Sequence, residues 1–330
     1  MIDPRARTRA TAIVAAVVGL FVATAVIGYF NFAAVLAAVR PIGVPGFLAV
    51  IAAQLCLFVP LGLAWWLVAL GEPSERIPLF MWSRLLREAA SDVLPFSQLG
   101  GLVIAARAAV LGGTPTAVAF GSSLVDTTVE IVAQLIYTLV GVGLLAHRLG
   151  FAANSSGRLL YAIAGGLVIA AAMVGVLIAM QRRGLNLMRR LFHRLAPAAG
   201  QQATAVAKVV EAAYGQPSRL STSLGVHIFA WFGAAGGTWL ILLLIGRPLP
   251  FASVAAIESL MFAIRNAAFV APSGLGVQEG AYALLGPLFG LPVEAALALS
   301  LLKRARDIAV GVPMLLSWQL VESRRRLRDA

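Results

Sequence analysis

Cysteine is almost absent: Cys56 is the only one in 330 residues, and it lies inside an apolar run. A disulfide frame, a thiolate metal cluster and a redox pair are thereby excluded. Histidine is nearly as scarce, and His147, His193 and His227 lack the close spacing of a metal site, so neither metal nor cofactor is expected. Charged residues make up only 12% of the chain against 60% hydrophobic, with a mean hydropathy of +0.89, which rules out a soluble enzyme. Acidic residues are few, 14 against 26 Lys plus Arg. The basic excess falls in a few short polar stretches, which suits cytoplasmic flanks of a membrane protein better than a nucleic-acid partner. No Gly-x-x-x-x-Gly-Lys-Ser/Thr phosphate loop occurs, so any transport would draw on an ion or proton gradient or run without energy input.

What the chain has in abundance is long apolar runs. A helical crossing needs about twenty such residues, and runs of that length occupy Ala10 to Phe30, Val44 to Leu70, Thr116 to Ala146, Leu159 to Met180 and Leu220 to Ile245. A sixth, Pro292 to Leu320, carries charges in its middle but keeps the length of a crossing. The first run follows Arg5, Arg7 and Arg9 as a signal peptide would, yet is too long for a cleaved one and is expected to stay as a helix. With the N-terminus inside, the inside segments hold seventeen basic residues and the outside loops four, Arg40, Arg148, Arg158 and Arg247. Both termini are therefore expected on the cytoplasmic side. The stretch 181–219 is read as a solvated, cytoplasmic basic loop.

Two further stretches are too broken to span simply. Glu75 to Gly113 has a polar amphipathic half and then an apolar half interrupted at Pro95, Gly100 and Gly101. Phe251 to Gly290 is broken around Pro272, Gly274 and Gly276. Irregular backbone at membrane depth must be buried in protein or line a wet cavity, because lipid cannot satisfy its N–H and C=O groups. Both are read as re-entrant helical hairpins. Sliding the chain by 177 positions sets Pro95 on Pro272, Gly113 on Gly290, Pro115 on Pro292, Ser123 on Ser300 and Asp126 on Lys303. The expected fold is all-α and polytopic: about six full transmembrane helices plus two re-entrant helical hairpins, in an inverted repeat. The alternative is eight full spans. It forms a single membrane domain over 1–330, with repeat 1 near 10–146 and repeat 2 near 158–320. Three crossings per half would turn the second copy upside down, the arrangement of many transporters, with substrate at the midplane where broken helices meet.

Ten ionisable residues fall within these helices or hairpins, Arg107, Arg265, Lys303, Arg304 and Arg306 against Asp126, Glu130, Glu258, Glu279 and Asp307. A charge at the bilayer centre costs roughly 2.5–3.5 kcal/mol on insertion scales, so most of them must pair or meet water. Asp126, Glu130 and Gln134 recur every four residues as one polar stripe, and Lys303 and Asp307 form its counterpart. Ion pairs between this acidic stripe and the Lys303, Arg304, Arg306 cluster are expected. Such pairs can lock helices together or form a site in which Arg or Lys receives a lipid phosphate and carboxylates carry a proton. Arg107 and Arg265 are candidates for phosphate contacts. Glu279 follows the glycine-rich break, where backbone N–H groups favour an anion while its own charge favours a proton or amine, and Gln278 adds an uncharged partner.

At Leu94 to Gly101, Asp126 to Glu130, Pro272-Ser-Gly-Leu-Gly-Val-Gln-Glu-Gly280 and Lys303-Arg-Ala-Arg-Asp307, the chain resembles the flippase-like family of the lysylphosphatidylglycerol synthase transmembrane region. Within that family it is most similar to the hopanoid-biosynthesis-associated membrane proteins. The resemblance runs from about Arg7 to Leu320. It implies a bacterial inner-membrane protein that moves or presents lipids, in some members aminoacylated phospholipids, with membrane lipids and hopanoid or lipid-biosynthesis proteins as partners. The sequence departs from many relatives at Leu102, where they carry an acidic residue, so two symmetric hairpin carboxylates are not available. Only ten residues follow Leu320, so aminoacyl transfer from tRNA is not expected and only the transport part is.

A lipid transporter, taking a phospholipid, polyisoprenoid or hopanoid headgroup into a charged midplane cavity, is the leading functional expectation, and no catalytic residue is assigned. The alternatives are an intramembrane lipid-modifying enzyme, such as a polyprenyl-phosphate phosphatase, and a non-catalytic scaffold for lipid biosynthesis. Against the phosphatase, Leu275 stands where the Pro-Ser-Gly-His run of lipid phosphatases has its proton-relaying histidine.

Overall fold

The computed structural model describes residues 40–93, 97–148, 197–268 and 276–329. Among the described residues there are nine α-helices and two 3-10 turns, with no strand. The helices are α1 (Gly43–Val68), α2 (Ile77–Val93), α3 (Ser97–Leu111), α4 (Thr116–Arg148), α5 (Pro197–Tyr214), α6 (Pro217–Leu244), α7 (Phe251–Ala267), α8 (Val277–Leu288) and α9 (Val293–Asp329). Three are long and apolar enough to cross a bilayer: Arg40–Val68 with 29 residues, α4 with 33 and α6 with 28. At about 1.5 Å per residue each exceeds the ~30 Å of hydrocarbon. The chain is an all-helical, multi-pass membrane protein.

These three helices coincide with the apolar runs beginning at Val44, Thr116 and Leu220, whereas the runs 10–30 and 159–180 lie outside the described residues. The sixth run is contained in α9, a single helix of 37 residues that holds Lys303, Arg304, Arg306 and Asp307 mid-length. Prolines mark where helices begin. Pro197 and Pro217 open α5 and α6, and Pro115, Pro250 and Pro292 stand just before α4, α7 and α9. At a first turn the missing N–H costs nothing, since no intrahelical partner exists for it there.

The basic stretch 181–219, expected as a solvated loop, contains helix at 197–214 and again from Pro217 onward, with a turn at Gly215 and Gln216 between α5 and α6. The reason is an apolar stripe along α5 made by Val206, Val209, Val210 and Ala213 at helical spacing, which seats the helix on α4. A Cβ at Gly121 of α4 would come within 2.9 Å of the Val209 side chain, so the missing side chain is what lets the two helices approach.

Of the expected hairpin breaks, Pro95, Pro272 and Gly274 lie outside the described residues. Gly100 and Gly101 are not at a break. They sit inside α3, near its start, where a Cβ on Gly101 would meet the Arg87 carbonyl and the Ser91 hydroxyl at 2.6 Å each. Gly101 therefore serves close packing against α2, whereas a Cβ on Gly100 would meet nothing within 4 Å. Gly276 does end an interruption, as the residue just before α8.

The 177-residue offset recurs in backbone detail. α3 ends at Leu111 and α8 at Leu288, and α4 begins at Thr116 and α9 at Val293. Gly113 and Gly290 both adopt left-handed φ, at 95° and 88°. In the first copy Gly113 N–H donates to the Val110 carbonyl and Thr114 N–H to that of Ala109, both at 3.0 Å. In the second, Gly290 N–H donates to Pro287 at 3.1 Å and Leu291 N–H to Gly286 at 3.0 Å. This is one helix-stop motif written twice, and it needs glycine because a Cβ disfavours positive φ.

Backbone proximity divides the chain into two compact units. The first comprises Met1–Cys56, Leu85–Gly101 and Phe232–Ala330, and the second Leu57–Arg84 and Leu102–Trp231. The second is called the central unit and the first the C-terminal unit. The core of the central unit is built by Trp65, Val68, Phe80, Ala105, Ala109, Ala119, Val125, Val129 and Val210. Trp65 meets the Phe80 ring edge-on at 5.2 Å and donates its indole N–H to Ser122 Oγ at 3.0 Å, so even the largest buried side chain has its polar atom satisfied. In the C-terminal unit, α8 packs against both α7 and α9, with Leu297 and Ala298 of α9 against Ala283 of α8.

Candidate functional site

Each unit carries a buried charge cluster. In the central unit, Arg84 of α2 is 1% exposed and reaches two carboxylates of the α4 stripe. Its Nη1 donates to Asp126 Oδ2 and Glu130 Oε2 at 3.0 Å each, and its Nη2 donates to Glu130 Oε1. Asp126 is fully buried, and its other oxygen lies 3.0 Å from Nε2 of His227 on α6, itself 1% exposed. A single guanidinium fork can serve both carboxylates because Asp126 and Glu130 stand one helical turn apart on one face. Gln134, one turn further along, is also buried.

In the C-terminal unit, Lys303 of α9 is enclosed. Its Nζ donates to Glu258 Oε2 at 2.6 Å, to Tyr282 Oη at 2.7 Å and to Thr238 Oγ1 at 3.2 Å, which uses all three ammonium donors. Tyr282 in turn donates to the other oxygen of Glu258, and the rings of Phe262 and Tyr282 lie 5.4 Å from the ammonium. Glu258 has no solvent exposure. A buried lysine and a buried carboxylate are each tolerable here because every polar atom of the pair is engaged.

Glu279 stands in the first turn of α8. Its Oε2 accepts the Gly276 N–H at 2.9 Å, closing the helix start, and its Oε1 accepts the Ser300 hydroxyl at 3.2 Å. The Arg304 guanidinium donates to both carboxylate oxygens, and Gln278 donates to Ser300 Oγ at 3.0 Å. Nearby, Arg265 of α7 donates to Asp92 of α2 at 2.6 Å, while Arg306 holds its chain neighbour Asp307 at 2.7 Å. Asp92, Val93, Arg265, Gln278, Arg304, Asp307 and Ile308 line one cleft of about 340 Å³. It is the size of a small-molecule site, and carboxylates and guanidinium groups alternate on its wall.

The structure thus brings Arg265, Gln278, Arg304 and Asp307 to one cleft, with Glu279 directly behind Arg304 and Lys303, Glu258 and Arg306 in the same unit. Asp126, Glu130 and Gln134 belong to the central unit, and Arg107 lies there on the exposed side of α3. The acidic α4 stripe receives its counter-charge from Arg84 on α2, and Lys303 of the basic α9 cluster receives its own from Glu258 on α7. The two copies therefore use the same device with the signs exchanged.

Arg84, Asp92, His227, Thr238, Tyr282 and Ser300 were missed as site residues by reading the sequence. Arg84 falls one turn from Phe80 on the buried face of α2, and a basic residue on an apolar face is a signal of a buried partner. Among the described residues, no group of three or more His, Cys, Asp and Glu side chains is placed to hold a metal ion.

No curated protein and no solved structure matches the chain. The family model described as the lysylphosphatidylglycerol synthase TM region matches residues 12–314. That span covers nearly the whole sequence and both charge clusters, and the chain is a membrane, lipid-related protein that belongs to the lysylphosphatidylglycerol synthase TM region family.

Proposed function

We propose that this protein is a lipid transporter of the flippase type, which seats a lipid headgroup in the charged cleft of the C-terminal unit while the acyl or isoprenoid tails remain in the bilayer. The observation that carries the reading is the cleft itself, in which Arg265 and Arg304 stand among Asp92, Asp307 and Gln278. A guanidinium has five N–H donors in a planar fork, more than one carboxylate takes, and it matches a phosphate in two directions at once. The carboxylates Asp92 and Glu279 hold the two forks in position. Among the described residues no nucleophile with an adjacent base lines the cleft, so movement rather than chemical change of the lipid is the reading it favours.

The accompanying architecture is six full crossings and two re-entrant hairpins in an inverted repeat, with both termini on the cytoplasmic face of a bacterial inner membrane. Helix length supports the hairpins. α2, α3, α7 and α8 have 17, 15, 17 and 12 residues. At about 1.5 Å per residue none reaches the ~30 Å of a bilayer core. The substrate class is a phospholipid, polyisoprenoid or hopanoid lipid, and the closest functional setting is the hopanoid-associated branch of the family, beside lipid-biosynthesis proteins.

Reconstitution into liposomes containing a phospholipid labelled on an acyl chain tests this, with a membrane-impermeant quencher reporting arrival at the outer leaflet. Arg265→Gln and Arg304→Gln each remove charge-assisted hydrogen bonds of about 1.5–3 kcal/mol, so the rate should fall roughly 10- to 100-fold. Undiminished movement in both variants, or phosphate release by the wild type, would overturn the reading.

A further inference from the structure

The central unit contains a base that no lipid contact explains. His227 is 1% exposed on α6, a helix long and apolar enough to span the membrane. Its Nε2 lies 3.0 Å from Asp126 Oδ1. An ionised carboxylate only accepts, so Nε2 carries the proton of that hydrogen bond and the neutral ring keeps its lone pair on Nδ1. Among the described residues Nδ1 has no hydrogen-bond partner, although it is buried. A carboxylate orienting an imidazole by one nitrogen and leaving the other as an open base is the arrangement by which proteins hold a histidine ready to take a proton.

We propose that His227 is a proton-binding site: Nδ1 takes a proton from water, and Asp126 stabilises the imidazolium that results. No bond between heavier atoms is made or broken, and the proton returns to water when the ring discharges. The charged groups facing the ring act in both directions. Asp126 and Glu130 on α4 favour the charged ring, while Arg84 on α2, bound to both, opposes it. On α1 the polar contacts to the same helix are the Ala64 carbonyl, which accepts from Ser223 one turn before His227, and the Leu67 carbonyl, which accepts from Arg219 at 3.4 Å, while the Trp65 indole is engaged by Ser122. Elsewhere in the unit Glu72 and Arg76 hold each other, and Arg107, Lys208, Glu211 and Arg219 are exposed on α3, α5 and α6. The Tyr137 ring stacks on Trp231, one turn beyond the histidine.

The proton site goes beyond the lipid reading and does not depend on it, because occupancy by a proton can be read with no substrate present. The chain has three histidines, so His147→Gln with His193→Gln leaves His227 as the sole one. In that variant, labelled with ¹⁵N-histidine and placed in lipid nanodiscs, NMR at alkaline pH should show Nε2 protonated and Nδ1 bare. On acidification to pH 5 the Nδ1 signal should change to that of a protonated nitrogen. Adding Asp126→Asn should weaken the acid-form Nδ1 signal, and Asp126→Glu should restore most of it. A ring protonated on Nδ1 at alkaline pH, a spectrum unchanged between pH 9 and pH 5, or a charged fraction indifferent to Asp126→Asn would each overturn the proposal. If the NMR result holds while Arg265→Gln and Arg304→Gln leave lipid movement untouched, the proton site stands and the lipid reading falls.

Discussion

Replacing Lys303 by methionine keeps most of the side-chain volume and removes the ammonium, which turns the Lys303–Glu258 pair into a test of how the membrane interior holds charge. Glu258 has no solvent exposure and takes its ion pair from Lys303 at 2.6 Å. Without the lysine, the Tyr282 hydroxyl still donates to one carboxylate oxygen, but the charge has lost its counter-ion. Breaking one side of a buried ion pair costs about 3–5 kcal/mol, chiefly because the surviving charge stays buried. At about 1.4 kcal/mol per factor of ten, Lys303→Met should lower the folding equilibrium by roughly two to three and a half orders of magnitude. Adding Glu258→Gln removes the stranded charge and should recover most of the loss, leaving a deficit of about 1 kcal/mol for a poorer hydrogen bond. Titrating the protein with SDS in mixed micelles, followed by the fluorescence of its six tryptophans, measures both. A single mutant as resistant as the wild type, or a double mutant no better than the single, would refute the claim that this buried pair is held by mutual neutralisation.

Two further outcomes follow from close contacts and backbone conformation. Gly113→Ala and Gly290→Ala should each cost about 1–2 kcal/mol in the same titration, because alanine resists the left-handed φ of 95° and 88° that ends α3 and α8. Gly62→Ala should cost at least as much: the added Cβ would lie 2.5 Å from Met81 Cα, and backbone cannot move aside as a flexible side chain can.

Reading along the chain reached the helices that begin near Val44, Thr116 and Leu220 and the matching corners at Gly113 and Gly290, since both are properties of local sequence. A run such as Thr116 to Ala146 has the length and composition of a crossing wherever it sits, and Gly113-Thr-Pro and Gly290-Leu-Pro mark the same corner twice. The stripe Asp126, Glu130, Gln134 was legible for the same reason, being set by one helical turn. Its partner was not. Arg84 lies 42 residues before Asp126, and only the tertiary approach of α2 to α4 brings them together. Lys303 shows the other blind spot. Its charge was visible, but two of its three partners, Tyr282 and Thr238, carry no charge and do not stand out in an apolar chain. The helical nature of 197–214 was hidden by its basic surroundings, although the stripe Val206, Val209, Val210, Ala213 was there to be read.

The exchange of signs between the two copies bears on how the chain sorts itself out during membrane insertion. Helices from a duplicated ancestor are alike enough in shape to be confused with one another, and lipid offers little to tell them apart. Here α7 carries an anion and its true mate α9 a cation, while α2 carries a cation and its true mate α4 two anions. Were α7 to settle against α4, Glu258 would confront Asp126 in a medium with no water to screen them. Opposite polarity would then work as an address, by which a helix docks with its own mate and leaves the look-alike alone.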